Sequence, residues 1–81
     1  MKIDLIRDIC HRHGKQEGRG RYRMPDKTIV ELHRAGVDIS HNGVDYMHYH
    51  PADIFGDNGV LFAWIEPHVC VPILYYPYYD D

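Results

Sequence analysis

The first stretch of the chain carries its apolar residues at three- and four-residue spacing. Ile3, Ile6, Ile9, Cys10 and His13 recur in this way, and Leu5 widens the stripe. Lys2, Arg7, Asp8 and Arg12 fall mainly on the other side, so the pattern predicts an amphipathic helix over 2–13. Asp4 near its start and Arg12 near its end suit the helix dipole. Gly14 stands where a left-handed C-cap belongs. Three glycines crowd residues 14–20, which therefore read as a flexible polar loop.

Beyond this loop the chain reads as short strands. Pro25-Asp26 is a type I turn signal between 20–24 and 28–33, which predicts a hairpin. A rival reading has Asp26 cap a helix over 27–35 that stops at Gly36. The β-branched run Thr28-Ile29-Val30 favours the hairpin. Val37–Ser40 alternates, Asn42-Gly43 is a tight-hairpin signal, and Val44–Tyr49 reads as the return strand, ended by Pro51. A second turn at Gly56–Gly59 leads into Val60–Ile65. That run is nearly all apolar, which predicts a central strand covered on both faces. Residues 68–76 read as a last strand bent at Pro72, and 77–81 as an exposed tail. The fold expected is α+β, an N-terminal helix packed on an antiparallel β-meander of four to six short strands, in a single domain over 1–81.

Size narrows the function classes. A chain of 81 residues holds one domain and excludes most enzyme superfolds. With 44% apolar residues it supports a packed core. No apolar run approaches the roughly 20 residues of a membrane span. Lys2, Asp4, Arg7 and Asp8 interrupt any leader-like run, so a cytoplasmic location is expected. Cys10 and Cys70 have no CxxC spacing and read as two buried thiols.

Charge changes the picture more. All nine Lys and Arg residues lie in 1–34 with five acids, a net +4. Residues 35–81 hold seven acids and neither Lys nor Arg, a net −7. Either the two parts pair in the fold, or an acidic face meets a basic partner. Tyr75, Tyr76, Tyr78 and Tyr79 surround Pro77 and precede Asp80 and Asp81. Tyrosine offers large contact area with a polar tip, and acids beside it suit an Arg/Lys-rich pocket. Together with Asp38, Asp45, Asp53 and Asp57, these residues are the partner-binding candidates. The expected function is a non-enzymatic inhibitor or protein-binding module, whose acidic, tyrosine-rich surface occupies a basic, nucleic-acid-binding groove of a larger protein. In size and charge layout the chain is similar to small virus-encoded inhibitors such as anti-CRISPR proteins. That likeness implies nucleic-acid mimicry.

Catalysis has little to rest on, and no cofactor is expected. Ser40 and His41 are neighbours that a strand would point to opposite faces. Two other chemistries remain open. Arg19, Arg21 and Arg23 alternate around Tyr22, a pattern that contacts phosphates and stacks on a base, although the pI of about 6.1 opposes nucleic-acid binding. His48 and His50 share one face if they lie on a strand, and could hold zinc at about 2.0–2.1 Å per nitrogen, with Asp53 or Asp57 as a third ligand. His48-Tyr49-His50-Pro51 resembles the His-x-His-Pro of JAMM-type metalloproteases, which implies a hydrolytic metal site. The downstream serine of that family has no counterpart, since no Ser follows Ser40. His11 and His13, two apart on a helix, do not face each other.

Overall fold

The computed structural model describes residues 2–76, and the tail predicted at 77–81, with Tyr78, Tyr79, Asp80 and Asp81, lies outside them. Helix α1 spans Lys2–His13, as its apolar stripe requires. Ile3, Ile6, Ile9 and Cys10 are buried on its inner side, each isoleucine contributing about 1.5–3 kcal/mol of burial. Arg7 and Arg12 remain outside, paired along the helix with Asp4 and Asp8. The cap differs from the expected one. Gly14 has no positive φ; its N–H donates to the Cys10 carbonyl at 2.8 Å, prolonging the helical pattern. Glycine is needed there for space, because a Cβ would lie 2.8 Å from the Met24 sulfur and 2.9 Å from the Cys10 oxygen.

Helix α1 packs against an antiparallel sheet of five strands: β1 (Lys15–Gly18), β2 (Arg21–Arg23), β3 (Ile29–His33), β4 (Gly36–Ser40) and β5 (Met47–Tyr49). They are hydrogen-bonded in chain order. The polar stretch read as a loop supplies β1, an exposed edge strand whose backbone pairs with β2 although its side chains give no apolar signal. The β2–β3 hairpin forms as expected and the rival helix over 27–35 does not. Pro25 and Asp26 fill the turn, closed by the Lys27 N–H donating to the Met24 carbonyl at 2.8 Å. Lys27 then takes φ 74°, the left-handed position of a three-residue hairpin loop.

The Asn42-Gly43 hairpin is wider than predicted, and Val44–Tyr46 do not join the return strand. Asn42 Oδ1 accepts the N–H groups of Val44 and Asp45, and the buried Ser40 hydroxyl accepts that of Gly43 at 2.7 Å. These local bonds compete with the ladder and open a loop of residues 41–46.

A short 3₁₀ turn, Pro51–Asp53, leads into a second antiparallel sheet of β6 (Ile54–Asp57), β7 (Val60–Glu66) and β8 (Val69–Tyr75). Here Asn58 and Gly59 both take left-handed φ, 50° and 77°, and Asp57 faces Val60 across a two-residue turn. Strand β7 is central, as expected, but covered on one face alone: Leu61 and Ala63 are buried, while Trp64 and Ile65 are exposed. Pro72 lies on β8, an edge strand that tolerates its missing N–H, and the register slips beside it. One apolar core joins the helix stripe with Tyr22, Val30, Val37 and Ile39 of the first sheet and Ile54, Leu61, Ile73 and Leu74 of the second.

Candidate functional site

Two open sheet faces carry the unusual surface chemistry. The first is the outer face of β6–β7–β8. Its register places Phe55 opposite Phe62, Phe62 opposite Pro72, Trp64 opposite Cys70, and Val60 opposite both Asp57 and Tyr75. Phe55 stacks on Phe62 at 5.3 Å and on Trp64 at 5.1 Å between ring centroids. Trp64 is 44% exposed and Tyr75 58%, so this aromatic row faces solvent. Carboxylates border it. Asp57 follows the alternation of Phe55, and Asp53 and Glu66 line a shallow surface hollow with Trp64, Ile65 and Pro67.

The second is the outer face of the five-stranded sheet, where Arg21, Glu31, Asp38 and His48 face one another across four consecutive strands. Arg21 pairs with Glu31 and donates to the Tyr46 hydroxyl at 3.0 Å. The Tyr46 bond first, and Glu31 after it, raise the guanidinium pKa above its ordinary range. Asp38 is held between two imidazoles, accepting from His33 Nε2 at 2.9 Å and from His48 Nδ1 at 2.6 Å.

The predicted partner-binding residues divide between these surfaces. Asp38 belongs to the polar row, and Asp45 accepts from the Asn42 amide at 2.8 Å in the loop beside it. Asp53, Asp57 and Tyr75 border the aromatic face. Tyr76 turns inward and is buried, because successive strand residues point to opposite faces. Among the described residues, the candidate acids therefore lie on two surfaces. The arginine pairs within the described residues run to Asp4, Asp8, Glu17 and Glu31, all within 1–34. Among the described residues, no Lys or Arg pairs with a carboxylate beyond Glu31.

The basic segment is split by the same alternation. Tyr22 is 4% exposed and its hydroxyl meets His11 Nε2 at 3.1 Å, so it offers no ring for a base. Arg21 and Arg23 point outward, each paired with a glutamate; Arg23 holds Glu17 below the usual carboxylate range. Arg19 instead joins Arg7, Arg34, His11 and Gln16 around a hollow of about 720 Å³ beside the helix. His48 and His50 also part. His50 lies past β5 and caps the 3₁₀ turn, its Nδ1 accepting from the Ala52 N–H at 3.1 Å. The signal missed in the sequence was register. A two-residue turn at Asn58-Gly59 sets Phe55 against Phe62 and leaves Trp64 on the adjacent diagonal.

No known protein family, curated protein or solved structure matches this chain. Among the described residues, no helix is long and apolar enough to cross a membrane.

Proposed function

We propose that this protein is a protein-binding module, and that the outer face of its three-stranded sheet docks on a basic, arginine-bearing surface of a larger partner. The observation that carries this reading is the solvent-facing Phe55–Phe62–Trp64 stack bordered by Asp53, Asp57 and Glu66. Isolated apolar side chains on a surface are ordinary, but a contiguous aromatic row is a mark of an interaction site. A guanidinium laid on an exposed ring gains about 0.5–1 kcal/mol, and a neighbouring carboxylate adds a charge-assisted hydrogen bond. Residues 35–76 contain no Lys or Arg to repel such a partner or to occupy the rings from within. Inhibition of a nucleic-acid-binding protein is the use that best suits this charge layout.

The single tryptophan sits in the proposed site and reports on it. Oligoarginine should perturb Trp64 emission with an affinity that falls as salt rises. Oligolysine of equal charge should bind more weakly, because it stacks less well on aromatic faces. Phe62→Ala, and separately the triple change Asp53→Asn, Asp57→Asn, Glu66→Gln, should each weaken the complex. Equal affinity for both peptides, unchanged by Phe62→Ala, would reduce the interaction to bulk charge and end this reading.

A second reading rests on the hollow lined by Arg7, Arg19, Arg34 and His11, whose positive charge suits a phosphate-bearing ligand. A short single-stranded oligonucleotide would bind there in a manner abolished by Arg19→Gln with Arg34→Gln. No mobility shift at low salt removes it.

A further inference from the structure

We infer that the outer face of the five-stranded sheet binds one zinc-class divalent cation through His33, Asp38 and His48, with Glu31 as a fourth ligand. Strand pairing builds the site. Glu31 on β3 faces Asp38 on β4, which faces His48 on β5, and His33 follows Glu31 by two residues on the same face. The two oxygens of Asp38 already lie against two imidazole nitrogens, at 2.9 Å from His33 Nε2 and 2.6 Å from His48 Nδ1. Glu31 Oε1 is 3.9 Å from His33 Nε2, and one ligand atom from each of Glu31, His33 and Asp38 falls within 4.8 Å of the others. Ligand atoms around a tetrahedral zinc are separated by about 3.3 Å, in the middle of these distances. Glu31, His33 and Asp38 already form the close cluster, and rotation of the half-exposed His48 ring about its contact with Asp38 would bring the remaining donor onto the ion.

A glycine supports the geometry independently. Gly36 stands opposite His33 across the β3–β4 turn, and a Cβ there would lie 2.9 Å from His48 Nε2. The missing side chain lets the His48 ring lie across β4 toward His33, with ring centroids 6.5 Å apart. The remaining oxygen of Glu31 is held by Arg21, itself held by Tyr46, so the carboxylate is oriented from behind. Two imidazoles with carboxylates form a donor set that suits zinc, cobalt or nickel better than magnesium or calcium. His33 and His48 are about half exposed, so an ion reaches the site directly from solvent. This site uses neither Phe62 nor Trp64 and stands or falls apart from the aromatic face.

The test is titration of the tag-free protein with zinc chloride by calorimetry and with cobalt chloride by visible absorption. One ion per chain is expected, with the visible bands of low-coordinate cobalt and no thiolate charge-transfer band from Cys70. His33→Ala, Asp38→Asn and His48→Ala should each weaken zinc binding by more than about tenfold, since changing even a residue that orients a ligand costs that much. His50→Gln should leave it unchanged. Should His48→Ala fail to fold, His48→Gln keeps a donor to Asp38 and reports the same loss. Absence of saturable binding, or an equal loss from His50→Gln and His48→Ala, would overturn the site.

Discussion

Cys10 and Cys70 are both free thiols, and their surroundings set them apart. Cys10 is buried in the helix stripe, and desolvation pushes its pKa from 9.0 to about 12. Cys70 is half-buried on the aromatic face, opposite Trp64. The expectation of two buried thiols holds for Cys10 alone. In the native protein at neutral pH, iodoacetamide should therefore modify Cys70 and spare Cys10, as mass mapping of the alkylated chain would read. Because the adduct sits beside Trp64, it should also weaken oligoarginine binding. The same burial fixes a pH effect. Folding keeps the proton on Cys10, so its contribution to stability is complete below about pH 9 and is lost as pH rises toward 12. Cys10→Ala should lower stability at neutral pH and flatten the alkaline decline, measured as urea midpoints across that window.

Among the elements, hairpins with similar turn residues behave differently, and the reason is local hydrogen bonding. Asn58-Gly59 closes a two-residue turn because both residues adopt left-handed φ. Asn42-Gly43 does not, because Ser40 and the Asn42 side chain take the backbone donors that such a turn would place in the ladder. Two glycines, Gly36 on β4 and Gly43 in the loop after it, then differ in consequence. Gly43 has φ 80° with nothing near its missing side chain, so Gly43→Ala should cost only backbone strain, about 1–2 kcal/mol. Gly36 has φ 151°, and a Cβ there would fall on the Tyr49 carbonyl oxygen of β5. Gly36→Ala should cost clearly more, by urea denaturation, since β5 must move away from β4.

At the scale of the whole molecule, one core serves the helix and both sheets. Unfolding should accordingly be a single event. Helical circular dichroism reports α1 and Trp64 fluorescence reports the second sheet, and the two transitions should coincide in urea. Separate midpoints would mean that the sheets fold as independent units. Ile73, fully buried where β8 meets this core, should cost about 2–5 kcal/mol when changed to Ala and should shift both signals together. Trp64→Ser, on the open face, should change stability far less than it changes binding.

Much of this was legible in the chain itself. Three- and four-residue spacing specified α1, and Pro25-Asp26 with a β-branched run specified the β2–β3 hairpin, because these signals act between near neighbours. Reading Gly56–Gly59 as one turn misses the pairing of Phe55 with Phe62, which follows from a two-residue connection at Asn58-Gly59 with Gly56 and Asp57 on the strand. Composition separated a cationic opening from an anionic remainder. Tertiary packing decided the rest. It left one face of β7 open although the run Val60–Ile65 reads as doubly buried, because a sheet with a single core beneath it covers only one side. It made an edge strand of Lys15–Gly18, where backbone pairing needs no apolar side chain. It sent Tyr22 and Tyr76 inward and brought His33, Asp38 and His48 from three strands to one place. Residue spacing governs what neighbours do along the backbone; which face meets the core, and which distant strands lie side by side, depends on every element competing to bury its apolar surface at once.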